Sequence, residues 1–240
     1  MDPRGSGRRG EGVTRVETSF ETVAVEPTDL GVVVAVTLPP GKEPVPAEVL
    51  ARLPEEERAI AAGLRGFRAP EWTGGRLALR QAAREALGIE LPPVGIGPRR
   101  EPLLPPGVAA SVAHKRGLAV AIVAGVGAGT LGIDLEEPAP ERAGIERLVL
   151  GPAELAALPE VDRWPAVLAR FAVKEALYKA LHPHVQRYVG FLEAEVALSG
   201  GVPEVSLRLT EGEGPFRVEA RLRSFAGGRV LALARVRSLR

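Results

Sequence analysis

Three acidic residues and one lysine are the side chains of this chain best placed to do chemistry. Asp134 and Glu136 stand two apart in Leu131-Gly-Ile-Asp-Leu-Glu136, and Glu175 is followed four residues later by Lys179. The hexapeptide alternates strictly, with Leu131, Ile133 and Leu135 on one side and Gly132, Asp134 and Glu136 on the other. A strand would therefore put both carboxylates on one face, with Cα atoms about 6.6 Å apart. Carboxylates that close repel one another unless a cation lies between them or water surrounds them. The plain alternative is an exposed strand face near a sheet edge. At about 100° per residue, Trp164, Leu168, Phe171 and Glu175 share one helical stripe, with Lys179 at its flank. A carboxylate in such a stripe needs a partner. A surface Glu–Lys pair worth about 0.3–0.5 kcal/mol would leave the apolar stripe unexplained. Lys174 is turned roughly a quarter turn from the pair, toward a different part of a ligand. Three carboxylates with lysines at hand describe a Mg²⁺ site for phosphate chemistry, because Mg²⁺ takes few carboxylates and leaves positions for water and phosphate oxygens. Mn²⁺, which also favours hard oxygen ligands, suits the same donors.

Two further stretches bear on phosphate. Ser111-Val-Ala-His114 precedes a strand beginning at Leu118, which places a hydroxyl and an imidazole at a strand end. Arg76, Arg99, Arg100, Lys115, Lys174 and Lys179 are cations that would surround a polyphosphate. Gly127-Ala-Gly129-Thr-Leu-Gly132 matches the G-x-G-x-x-G dinucleotide fingerprint letter for letter. That motif works only between a strand and a helix whose N-terminus meets the phosphate. Here Ile133-Asp-Leu-Glu-Glu-Pro138 follows, a strand ended by proline, so the glycines read as a tight turn.

The elements that must position these residues lie in a chain of 240 residues with 31 Lys and Arg, 30 Asp and Glu, and no cysteine. Those counts exclude a disulfide scaffold, a thiolate zinc site and a cysteine nucleophile, and give no global reason for a nucleic-acid or membrane partner. Gly117–Ile133 carries no charge, but four glycines interrupt it, and it falls short of the roughly 20 residues a spanning helix needs. No secretory signal is visible, residues 1–19 read as a disordered leader, and a soluble, cytoplasmic protein is expected. A strand is expected over 31–38, helical pieces from Pro46 broken at Pro54, and a helix over 72–87 capped by Gly88. Strands follow over 118–126 and 131–136, then short helical pieces over 141–150 and 152–158. A long helix starts at Asp162 as N-cap and stops before Pro183, and a β-meander spans 204–209, 216–225 and 230–236. This pattern predicts an α+β fold of two similar halves, 20–128 and 129–240, the second carrying the metal site.

Leu131-Gly-Ile-Asp-Leu-Glu136 together with Arg170-Phe-Ala-Val-Lys-Glu-Ala-Leu-Tyr-Lys179 resembles the two signature motifs of the 4′-phosphopantetheinyl transferases. Arg100-Glu-Pro102, Ser111-Val-Ala-His114 and Arg187-Tyr-Val-Gly-Phe191 look like the monomeric, surfactin-synthetase-activating type, nearest its enterobactin synthetase component D-like branch. The resemblance covers about Trp72 to Val196. It implies two pseudo-symmetric α+β halves with coenzyme A, the co-substrate, in the cleft between them. It implies transfer of the phosphopantetheine arm to a serine of an acyl or peptidyl carrier protein, with release of adenosine 3′,5′-bisphosphate. By motif position Asp134, Glu136 and Glu175 would hold the metal, Glu175 would take the serine proton directly or through water, and Lys179 would steady the pyrophosphate. Lys174, His114, Ser111, Arg76 and Arg100 would bind the coenzyme. Two positions depart from the family pattern. Ala113 replaces a hydroxyl residue before the histidine, and Ala172 replaces Ser, Cys or Thr after the aromatic of the helix motif. Competing readings are a Mg²⁺-dependent nuclease or phosphohydrolase and a non-catalytic carrier-binding module. Against the first, the lysine lies four residues from Glu175 instead of two, and the chain is not basic overall.

Overall fold

The computed structural model describes residues 19–239 except 126, 139, 140 and 142. The leader expected over 1–19 thus falls, Ser19 apart, outside the described residues. Strands β1 (Thr22–Thr28) and β2 (Gly31–Thr37) are followed by α1 (Ala47–Leu50), α2 (Glu55–Gly63) and α3 (Arg68–Leu87). Then come the two-residue strands β3 (Gly95–Ile96) and β4 (Pro102–Leu103), and the longer β5 (Val108–Lys115), β6 (Leu118–Gly125) and β7 (Thr130–Glu136). The remainder is α4 (Ile145–Val149), α5 (Pro152–Ala156), α6 (Arg163–Val185), β8 (Ala194–Ser199), β9 (Val202–Leu207), β10 (Phe216–Phe225) and β11 (Arg229–Ser238).

The expected α+β class is what the elements form. One antiparallel sheet runs β1-β2-β6-β5 and a second runs β10-β11-β7. The β-branched run of β2 is buried on both faces, as a layer inside a stack must be. Val34 and Val36 pack with Leu79 and Ala82 of α3. Val33 and Ala35 pack with Ile133 and Leu135 of β7 and Leu233 of β11, sheet on sheet. The far face of the second sheet, with Ala232 and Ala234, meets Ala172, Ala176 and Ala180 of α6. The layers are therefore α3, sheet, sheet, α6. Among the described residues no helix is long and apolar enough to cross a membrane.

Several boundaries differ from expectation. α6 passes through Pro183 and ends at Gln186, whose φ is 53°. A proline in the last turn forfeits a single ladder bond, which the packed helix tolerates. Asp162 does precede α6, but with φ 55° and no side-chain capping bond. His114 precedes the strand at Leu118 as expected, but it also stands near the end of a strand of its own, β5, which the sequence reading did not include. β1 escapes the sequence reading because its Glu26-Pro27 looks like loop; an edge strand accepts that proline.

Candidate active site

Close helix–sheet approach creates the site. A Cβ on Gly132 would lie 1.8 Å from the Ala176 carbonyl oxygen, so only glycine lets α6 settle onto β7 here. With Ala176 and Ala180 fully buried against the sheet, the turn of α6 between them carries Lys179 across β7. Its Nζ donates to the Ile133 carbonyl at 2.8 Å and to Asp134 Oδ1 at 2.9 Å. The fingerprint-like glycines form the turn into β7, with φ of 91° at Gly127 and 82° at Gly129, and a strand follows. The turn reading of that motif holds.

Asp134 and Glu136 share the face of β7 opposite Leu131, Ile133 and Leu135, as the alternation requires. Asp134 is buried, and its second oxygen, Oδ2, has no hydrogen-bond partner. Glu136 pairs through Oε2 with Lys115 Nζ at 2.5 Å. Burial, then the nearby Asp134 charge, holds Glu175 above the usual carboxylate range, while Lys179 pulls it back. Burial likewise raises Glu136, against the bond from Lys115. The three acids thus feel one another's charge. As they stand, however, no three His, Asp or Glu side chains among the described residues are gathered closely enough to hold an ion. The carboxylate donors and the orphaned Asp134 Oδ2 fit a hard divalent ion in chemistry. Two ammonium groups stand against the strand acids instead.

Beside Lys179 a groove of about 760 Å³ runs between α3, β5, the start of β7 and the end of α6. Arg68, Arg76, Arg99, Arg100, His114 and Lys179 line it against only Glu71 and Glu101, with Trp72, Leu104 and Tyr178 supplying apolar wall. A cationic trough with apolar sides suits a nucleotide carrying several phosphates. Arg76 is buried, its guanidinium lies 4.9 Å from the Trp72 ring centroid, Nη2 donates to the Gly95 carbonyl at 2.9 Å, and Nε has no partner. Burial lowers its pKa to about 10, with Glu57 opposing. His114 is half-exposed, with Nδ1 3.4 Å from Glu71 Oε1. Desolvation pushes it below the ordinary imidazole value, against Glu71. Arg100 sits in the groove wall with φ 68°.

Of the residues expected to bind the coenzyme, Arg76, Arg100, Ser111 and His114 share this groove with Lys179. The Ser111 hydroxyl accepts the Ile133 amide at 3.2 Å, which ties β5 to β7. Lys174 is placed elsewhere. It is 97 % buried, and its Nζ donates to Glu154 Oε2 at 2.6 Å, the Val149 carbonyl at 2.8 Å and the Phe191 carbonyl at 2.9 Å. All three donors are used, so the expectation that it reaches a ligand is corrected. The helical stripe also shifts: Val173, Ala176, Leu177 and Ala180 are the deeply buried face, and Glu175 flanks it half-buried. Ala113 packs between the sheets with Val120 and Ile133, and Ala172 packs from α6 against the second sheet. Neither lines the groove. The sequence reading missed Glu71, Arg68, Trp72 and Tyr178. The spacing of Arg68, Trp72 and Arg76 on one helical face was a usable signal.

Two family profiles match the chain. The 4′-phosphopantetheinyl transferase N-terminal domain matches residues 55–124, and the 4′-phosphopantetheinyl transferase superfamily matches residues 130–234. The 4′-phosphopantetheinyl transferase PptT of Mycobacterium tuberculosis is 31% identical over 166 residues, 66% of this chain and 66% of that one. The 4′-phosphopantetheinyl transferase Svp of Streptomyces mobaraensis is 35% identical over 159 residues, 62% of this chain and 63% of that one. Enterobactin synthase component D of Salmonella typhi is 30% identical over 164 residues, 65% of each. The matched stretch thus spans just under two thirds of these relatives.

Proposed function

The chain belongs to the 4′-phosphopantetheinyl transferase superfamily, and from that premise we propose that it transfers the 4′-phosphopantetheine arm of coenzyme A to a serine of an acyl or peptidyl carrier protein. The observation that carries this reading is the cationic groove ending at Lys179, where that lysine meets Asp134. The coenzyme's nucleotide lies along the groove, with its ring against Trp72 and its phosphates near Arg76, Arg100 and His114. Lys179 faces the diphosphate. The serine oxygen forms a bond to the β-phosphorus as the bond from that phosphorus to the bridging oxygen breaks, and adenosine 3′,5′-bisphosphate departs. Glu175 takes the serine proton, a role suited to a carboxylate whose proton affinity burial has raised. Lys179 offsets the charge that develops on the leaving phosphate. Asp134, Glu136 and Glu175 would hold Mg²⁺, or Mn²⁺ in its place, which would supply charge neutralisation at the diphosphate. The same reading includes a cytoplasmic monomer whose halves divide near residue 128.

Mass spectrometry of apo carrier proteins incubated with the enzyme, coenzyme A and Mg²⁺ tests it. A phosphopantetheine mass increment on a serine is expected, and folded Asp134→Ala and Glu175→Ala variants should give none. No increment on fatty-acid, polyketide or peptide carriers overturns the activity, and full activity in either variant overturns the site. A parallel DNA-cleavage assay should stay blank.

A further inference from the structure

Each strand acid is held by a lysine from a different element. Lys179 of α6 holds Asp134 and is itself fixed by the Ile133 carbonyl. Lys115, the last residue of β5, holds Glu136, with the two side chains 31 % and 13 % exposed. Asp134 Oδ2 is left buried without a partner. Asp134, Glu136 and Glu175 bring three negative charges and the two lysines bring two positive ones, so the cluster keeps one uncompensated charge. It therefore favours a further cation, yet as it stands no three of its acids converge on a point. The obstruction has an identifiable part. Lys179 is bonded to main chain as well as to its acid, whereas the polar contact found for Lys115 is Glu136. The Lys115 backbone is followed by Arg116 and by Gly117 at φ 77°, at the turn into β6, where a long side chain can swing without moving the sheet.

We propose that Lys115 is a built-in counter-cation of Glu136, which it holds until a divalent ion enters and displaces it, so that this one lysine gates metal uptake by the acids. The proposal rests on the reading of Asp134, Glu136 and Glu175 as metal ligands and deepens it. A divalent ion, with twice the charge of an ammonium, would outcompete it for the carboxylates. The ammonium nevertheless weakens the ion's net affinity, by occupying one ligand and by repelling the incoming charge over a few ångströms.

Mn²⁺ titration of the full-length, substrate-free protein, with free ion read by electron paramagnetic resonance, tests this. Lys115→Met should bind Mn²⁺ about tenfold more tightly than wild type. Lys115→Arg, which keeps the charge, should bind no more tightly than wild type. Adding Asp134→Asn to Lys115→Met should abolish the gain. If circular dichroism shows Lys115→Met unfolded, Lys115→Gln serves in its place with the same expectation. Unchanged or weaker Mn²⁺ binding on loss of the lysine charge overturns the gate, and so does a gain that survives Asp134→Asn. The carrier assay separates the two failures. An active wild type with no Mn²⁺ gain in Lys115→Met sinks the gate alone. A gain in Lys115→Met with an inactive wild type keeps the gate and sinks the transferase reading. Absence of Mn²⁺ binding in every form sinks both the gate and the metal site.

Discussion

Helix α3 carries the buried cations Arg76 and Arg80, and α6 carries Lys174 and Lys179 besides the buried Arg170; the pairs Arg80 and Arg76, and Lys174 and Lys179, differ in the same way. On α3, Arg80 is closed off: it donates to both oxygens of Glu57 at 3.1 and 2.6 Å and to the Leu91 and Pro92 carbonyls, while Glu57 also accepts the Val94 amide. One turn away, Arg76 faces the groove with Nε unpartnered. On α6, Lys174 is closed off by Glu154 and two carbonyls, while Glu154 accepts the amides of Gly151 and Val196. Lys179, further along, faces the groove beside an acid with a free oxygen. A charge pair with every donor and acceptor matched fastens segments together: Glu57 and Glu154 bring α2 and α5 onto the long helices. Arg76 and Asp134, each with a valence left over at or beside the groove, keep a place for something that is not protein.

Breaking a closed pair should produce the largest effect. Lys174→Met leaves Glu154 charged and buried without its partner, a loss of about 3–5 kcal/mol, read by urea denaturation. Adding Glu154→Gln should recover part of that loss. Lys179→Met also leaves an acid behind, Asp134, but that lysine is 30 % exposed and water reaches the pair, so a smaller loss than for Lys174→Met is expected, while transfer to a carrier is removed. Similar losses of stability in the two lysine variants would erase the distinction.

Next in size is the contact that sets Lys179 over Asp134. Gly132→Ala places a methyl group against the Ala176 carbonyl, so α6 must lift from β7. A cost of about 1–3 kcal/mol is expected, with transfer activity falling alongside. Gly127→Ala is the control: its Cβ meets nothing, so only the positive φ of 91° is strained, at about 1 kcal/mol, and activity should survive. Thermal melts and the carrier assay read both.

These contrasts show why some of the site was legible in the sequence and some was not. The face shared by Asp134 and Glu136 follows from strand period alone, and β7 bears it out. The turn at Gly127 and Gly129 was legible because local chemistry dictates it. Lys174 was misread because its partners, Val149, Glu154 and Phe191, come from segments 17 to 25 residues away. No periodicity within α6 reveals what crosses over it. The pairing of Lys115 with Glu136 was hidden for the same reason, since β5 and β7 are joined by tertiary packing. β5 itself was hidden by its small residues, Ala109, Ala110 and Ala113 among them, which carry little strand preference.

A smaller effect distinguishes an acid kept for function from one kept for stability. Glu175 has a proton affinity raised by burial, so its ionised form costs the fold free energy. The sign follows from linkage: the folded chain holds that proton more tightly than the unfolded chain. The penalty is therefore absent below the ordinary carboxylate range and complete above the raised folded value. Glu175→Gln should be more stable than wild type at pH 7, by up to about 1 kcal/mol, and the gain should shrink as pH falls to about 4. Glu154→Gln should instead be less stable at pH 7, because it loses the charge that holds Lys174. Melting temperatures at the two pH values decide between them.

Arg99 should give the smallest effect on stability, and it tests whether exposure alone separates the two kinds of cation. It sits between β3 and β4 and reaches across the groove to α6, donating through Nη1 to Tyr178 Oη and His182 Nδ1, both at 3.3 Å, and through Nη2 to the Gln186 carbonyl at 3.2 Å. By partner count it resembles the closed cations, yet its contacts are long and open to water, where such bonds contribute little. Arg99→Ala should therefore shift stability by no more than about 0.5 kcal/mol. Because Arg99 also lines the groove, its loss should raise the KM for coenzyme A about three- to fivefold with kcat unchanged, the mark of binding lost equally from ground and transition states. A fall of several degrees in Tm with KM intact would make Arg99 a fastener like Arg80 and Lys174. Completeness of partners would then matter more than burial in deciding which cations fasten the fold.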